Sequence, residues 1–200
     1  MTMKKIKSYT AGLILLLIPV MAGAQALPFT AAETDAASLR KAGADIVETG
    51  SIANAAFRNA SAIPFYEGKL DVEAGYTAWS PSNSNIMNVA GAYNINDRFG
   101  VAAGFSYGML PAYDVTDGAG ISKGTYKPSD MQINAGFAYK FLPYLSAGIN
   151  IGYASSNLAE GHSYGAVTSD VFLMGKFSDF KVAAGVSNLG TGITSASGAK

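Results

Sequence analysis

The chain of 200 residues has no cysteine and a single histidine, His162. The first absence excludes a disulfide framework and a thiolate metal site. The second leaves one imidazole for any serine, histidine and acid set, and a zinc site would have to be built from carboxylates. Excess charge is missing too: 14 basic residues balance 14 acidic ones, and no basic run is long enough to serve as an electrostatic footprint for nucleic acid. Beyond the N-terminus there is no apolar run of the ~20 residues that a spanning helix needs, so a mature protein that crosses a membrane must cross it as strands. A non-enzymatic protein without cofactor, metal or nucleic-acid partner is expected.

What is present starts with Lys4, Lys5 and Lys7 ahead of an apolar run from Ala11 to Met21 and the small residues Ala22, Gly23 and Ala24. Residues 1–24 therefore read as a secretory signal peptide cut after Ala24, with Ala26 as the second choice; the run is short and holds Pro19, unlike an anchor. Residues 25–65 are Ala-rich and mixed in polarity, with a short helix expected near Thr34 and Asp35. They are expected to form a plug. Residues 66–200 change character, with segments of about ten residues alternating at a period of two.

In Phe99 to Tyr107, Phe99, Val101, Ala103, Phe105 and Tyr107 oppose Gly100, Ala102, Gly104 and Ser106. The same pattern recurs in Met131 to Phe141, Leu145 to Tyr153 and Phe180 to Ser187. Leu70 to Trp79, Met87 to Tyr93 and Tyr164 to Phe177 repeat it more weakly. Any one such strand fits a soluble β-sandwich, but two further patterns favour a membrane barrel. Connections are expected to alternate between tight (94–98, 142–143, 178–179) and long (80–85, 108–129, 154–163). Aromatic residues also gather at the strand ends: Tyr93, Phe99, Phe141, Tyr144, Phe177 and Phe180 by the tight turns, and Trp79, Tyr107, Tyr153 and Tyr164 opposite, as in interfacial girdles.

The predicted fold class is thus all-β, an antiparallel transmembrane β-barrel with about seven strands present and a short N-terminal plug segment, in the outer membrane and in contact with its lipid. Bacterial single-chain barrels have even strand numbers, so the odd count predicts a partial or truncated barrel. Asp71, Glu73, Gln132, Asn134, Lys140, Asn150 and Lys181 fall on the face opposite the bulky residues and are expected to face the lumen. Gly100, Gly104, Gly136, Gly148, Gly152 and Gly185 share that face, leaving room for a plug or relieving crowding. Gly118 to Thr125 resembles a phosphate loop but lacks the Gly-Lys-Ser/Thr order, and His162 is expected in an exposed loop, so both read as outer-loop residues.

At Ser38 to Phe65, SLRKAGADIVETGSIANAAFRNASAIPF, the chain resembles the N-terminal segment of the PorV/PorQ family and its FadL-type relatives. Lys41 to Ala44 stands at the Gly-rich stretch, and Asn59, Ala60 and Ser61 at the Asn-Pro-Ala before the first strand. Tyr76 to Ser80 (YTAWS) and Gly185 to Gly190 (GVSNLG) are similar to strand ends of the family. The resemblance implies a fourteen-stranded barrel with an N-terminal plug, of which seven strands are half. It also implies a role in type IX secretion in the Bacteroidetes, with secretion-system proteins or exported cargo as partners. The FadL-like alternative is a channel for hydrophobic small molecules.

Overall fold

The computed structural model describes residues 27–31, 38, 45–80, 82–178, 180–191 and 193–195. The expected signal peptide and the short helix near Thr34 and Asp35 lie outside the described residues.

Among the described residues ten strands follow one another: β1 (Leu70–Trp79), β2 (Ser84–Asn94), β3 (Phe99–Met109), β4 (Tyr113–Thr116), β5 (Ser122–Tyr126), β6 (Ser129–Leu142), β7 (Leu145–Ala159), β8 (His162–Phe177), β9 (Phe180–Gly190) and β10 (Thr194–Ser195). The large sheet is antiparallel, in the order β1-β2-β3-β6-β7-β8 with β9 next, and β10 continues along β8 past the end of β9. β4 and β5 form a separate hairpin. Among the described residues the sheet is open, with β1 and β9 as its two edges.

All seven expected strands are present, and Leu70–Trp79 matches end to end. The loop lengths need correction. The connection expected over 154–163 is ladder for most of its length, since Ser155, Ser156 and Asn157 pair with Gly165, Tyr164 and Ser163 and leave a two-residue turn at Glu160 and Gly161. The apolar alternation stops at Tyr153, but backbone pairing needs no apolar side chain and carries on through serine and asparagine. The connection after β1 is likewise short, with four residues, 80–83, between Trp79 and Ser84. Only 108–129 is long, and it contains the β4–β5 hairpin.

One face of the sheet is bare and the other covered. In β3, Phe99, Val101, Ala103 and Phe105 are exposed while Gly100, Ala102, Gly104 and Ser106 are buried. The cover is the N-terminal segment: residues 45–66 contribute a turn at 45–47 and the 3-10 helices Ala53–Phe57 and Ala60–Phe65, and a further 3-10 turn, Pro28–Ala31, lies upstream. Asn59 starts the second helix, its Oδ1 accepting from the Ser61 amide at 2.9 Å while its Nδ2 donates to the Ile46 carbonyl at 2.7 Å. Pro64 lies in its last turn, so the segment stays in short helical turns. Arg58 and Asp45 clamp the two ends of the loop at 2.5 Å.

The core lies between segment and sheet. Ile52, Ala55, Ala56, Ala60 and Ile63 pack on Ala92, Ala102 and Ala138, with a second cluster of Ala62 and Phe65 against Met174. Small wall residues make this approach possible. A Cβ at Gly100 would run into Ile63, at Gly104 into the Phe57 ring, and at Gly148 into the backbone of Ala60 and Ser61.

Candidate functional site

The covered face brings together all seven polar residues singled out in the sequence, six of them bonded to the segment. Asp71 on β1 acts as a remote cap for the Ala53–Phe57 helix, its Oδ2 accepting from Ser51 Oγ (2.9 Å), Ile52 N (2.8 Å) and Ala53 N (3.1 Å). Such a carboxylate satisfies amides that the helix start leaves without partners. Glu73, two residues on along the same face, accepts from Asn54 Nδ2 at 3.0 Å. Asn134 and Asn150 donate to the carbonyls of Ala56 and Ala55, at 3.0 and 3.2 Å. Lys140 donates to the Pro64 carbonyl at 2.8 Å and lies over the Phe65 ring, and Lys181 on the far edge strand donates to Thr49 Oγ1 at 2.7 Å. Gln132 is buried on the same face.

Sequence reasoning missed four members of this seat. Asn88 donates to Asn54 Oδ1 at 3.3 Å, Ser146 to the Ser61 carbonyl at 2.5 Å, and Asn94 to the Tyr66 carbonyl at 3.0 Å. Ser106 is buried beside Asn88, its register partner. The signal was in the alternation: each occupies the small or polar phase of its strand, beside bulky neighbours such as Met87 and Val89.

Gly136 and Gly152 serve a different purpose from the glycines under the segment. Asn134 on β6 stands opposite Gly152 on β7, and Asn150 on β7 opposite Gly136 on β6. Each asparagine lays its Oδ1 over the glycine facing it, where a Cβ would come within 2.5 to 2.6 Å. Glycine across the ladder thus lets each amide lie flat and turn its NH2 toward the segment.

On the bare face, Tyr93, Phe99, Phe141, Tyr144, Phe177 and Phe180 are exposed by the tight turns, with Phe99 against Tyr139 and Tyr144 against Phe177 at ring distances of 4.8 and 5.3 Å. At the other end Tyr153 is exposed and Tyr107 half-buried, whereas Trp79, exposed at the end of β1, pairs with Ser84 in the phase of Asp71 and Glu73 and so lies on the other side from the expected girdle. Tyr164 departs from the expected girdle. It pairs with Ser156, a covered-face residue, and packs against Leu27, Ala154 and Ala166. The weak alternation of β8, apolar on both faces, gave no means of choosing its side. Between the two aromatic ends a shallow apolar hollow of about 680 Å3 is floored by Gly91, Ala103 and Ala135.

Beyond the sheet, the β4–β5 hairpin is fixed rather than loose. Tyr113 donates its hydroxyl to the Leu158 carbonyl at 2.8 Å, and its ring meets Tyr126 at 5.9 Å. At the tip the Asp117 carboxylate accepts from the amides of Ile121 and Ala119, both at 3.0 Å, and pairs with Lys123 at 3.2 Å. Ile121 is left 62% exposed there. The stretch resembling a phosphate loop is therefore this hairpin turn. His162 is not in a loop but begins β8; it is exposed, its Nδ1 donating to the Glu160 carbonyl at 2.9 Å.

The Ile121 amide, then Lys123 and the Ala119 amide, hold the Asp117 carboxyl below its ordinary value of 3.8. A depressed carboxylate contributes order that is full above the unfolded value and is lost as pH falls through the lower folded value. The amide shifts of Ala119 and Ile121 are therefore expected to stay constant from pH 7 to about 4.5 and to move only under more acidic conditions, and Asp117→Asn should abolish that transition. A proton titration by NMR reads it directly; movement centred above pH 5 would contradict the assignment.

A scan against protein-family models gave no match, and a search of curated proteins gave none. The PorV/PorQ likeness accordingly rests on the short motifs quoted above.

Proposed function

We propose that this chain is an outer-membrane β-barrel protein of PorV/PorQ type, without enzymatic activity, that presents its outer hairpin to secretion-system proteins or exported cargo. The observation that carries the reading is the two-faced sheet, whose exposed side is the greasy one. Leu70, Val72 and Tyr76 on β1, and Val182 and Val186 on β9, are among many large apolar side chains left open to the surroundings. A soluble protein seldom exposes a continuous apolar face of this size, whereas lipid tails would cover it. On β6 the bulky phase runs from Met131 to Phe141, about 33 Å at roughly 3.3 Å per residue. Tilted by about 40°, that is about 25 Å of height, the apolar band of an outer-membrane barrel.

Strand direction constrains how such a barrel closes. β1 and β9 run the same way, because five antiparallel strands separate them in the sheet. Copies arranged around the membrane normal would meet β9 to β1 in parallel. An all-antiparallel barrel needs an odd number of further strands, and seven more would give the fourteen that the resemblance implies. The filled covered face favours the loop-based role over the FadL-like channel, since residues 49–64 occupy the side along which a solute would travel.

The expected result is that mature protein sediments with the outer-membrane fraction, resists carbonate extraction, and shifts its electrophoretic mobility on boiling in detergent. Recovery as a folded species from the soluble periplasmic fraction would remove the membrane reading. Crosslinking from a residue at the hairpin tip, such as Ile121→Cys, should then capture protein rather than lipid.

A further inference from the structure

Four polar atoms on the covered face have no hydrogen-bond partner among the described residues: Asn88 Oδ1, Ser106 Oγ, Asn134 Oδ1 and Asn150 Oδ1. Their residues are 1, 3, 4 and 1% exposed, so bulk solvent does not serve them. Leaving one such atom dry costs free energy, and all four lie on the same face of the same sheet.

The amide orientations are forced. Asn134 and Asn150 face the carbonyls of Ala56 and Ala55, which only accept, so the NH2 must point there and the oxygen away. At Asn88 the constraint passes through a relay. The Glu73 carboxylate accepts from Asn54 Nδ2, which turns Asn54 Oδ1 toward Asn88 Nδ2 and leaves Asn88 Oδ1 over. Flipping any of the three would set oxygen against oxygen.

The four residues are also neighbours. Asn88 is the register partner of Ser106, Ser106 lies one strand and one rung from Asn134, and Asn134 one strand and one rung from Asn150. The row crosses β2, β3, β6 and β7 beneath the segment. A carboxylate lies near each end, Glu73 on β1 and Asp170 opposite Asn150 on β8. With one N–H of each NH2 spent on the segment or on Asn54, the three amide oxygens are left as acceptors, and the serine hydroxyl offers either.

We propose that the seam between the N-terminal segment and the sheet is a binding site for small hydrogen-bond donors, occupied by a file of ordered water molecules. Water suits the site because it donates twice and accepts, so one molecule can serve two amide oxygens or join an amide oxygen to the serine. The inference stands whether or not the bare face meets lipid, because it concerns the other side of the sheet.

Ser106→Ala gives a test whose sign depends on the occupant. In a hydrated seam the hydroxyl is bonded to water, and its removal lowers the unfolding midpoint of the purified full chain by about 3 °C. In a dry seam the hydroxyl is an unpaired burden, and its removal raises the midpoint. On the unaltered protein, water should show cross-relaxation with the side-chain amides of Asn88, Asn134 and Asn150; this measurement decides alone if the variant does not fold. A raised midpoint or missing cross-peaks would overturn the proposal. So would saturable stabilisation by potassium at constant ionic strength, which would make the occupant a metal cation rather than a hydrogen-bond donor.

Discussion

Gly148→Val is expected to detach residues 45–66 from the sheet. The Cβ it introduces would meet the amide nitrogen of Ser61 and the backbone of Ala60, which, unlike the end of a flexible side chain, have nowhere to move. Ala138 and Ser146 are completely buried nearby, so the wall has no slack either. Overpacking a filled core costs about 1–3 kcal/mol when side chains yield. Here the alternative is to release the segment, giving up the burial of Ile63 and its alanine neighbours, and about 3 kcal/mol is the smaller consequence. The unfolding midpoint should fall by about 10 °C. Limited trypsin digestion supplies the local readout. Arg58 is clamped to Asp45 and largely buried in the native protein, so cleavage there should appear in the variant and be absent from the parent. Gly118→Ala is the control, since nothing lies near the added methyl, and it should leave both measurements unchanged.

The second large effect concerns Asp71. Its carboxylate is the acceptor for two backbone amides and a hydroxyl. Asp71→Ala should destabilise the start of the Ala53–Phe57 turn by about 2 kcal/mol, the upper part of the range for a lost helix cap, held there because the site is only partly exposed. Hydrogen exchange at the Ile52 and Ala53 amides would then rise about 30-fold, while the β6–β7 ladder keeps its protection. Asp71→Asn retains an acceptor oxygen and should lose about half as much. Equal exchange in all three proteins would mean that Asp71 is only a polar wall residue.

Much of the sheet was legible because one physical signal, side-chain alternation, dominates it. Phe99, Leu145 and Phe180 begin β3, β7 and β9 where the pattern begins, and Phe177 ends β8 where it ends. The pattern could report only where one face is greasy. It was silent about the polar continuation of β7 to Ala159, about the hairpin, whose order comes from Asp117 and Tyr113, and about Tyr164. The covered-face residues were recognisable as a set, since Asp71, Asn134 and Lys181 share one phase. What they hold was not recognisable. The bond from Asn150 reaches Ala55, 95 residues earlier, and no local periodicity encodes a contact of that span.

The seat for the N-terminal segment is spread over every strand of the large sheet from the first edge to the last. Lys181, which secures Thr49, lies 132 residues downstream of it. Part of the chain made early is therefore among the last to settle: residues 45–66 cannot reach their final bonds until β9 has joined β8. The wall for its apolar turns is likewise built in stages, Ala92, Ala102 and Ala138 on β2, β3 and β6 before Met174 on β8, so order at the N-terminal end grows with the sheet.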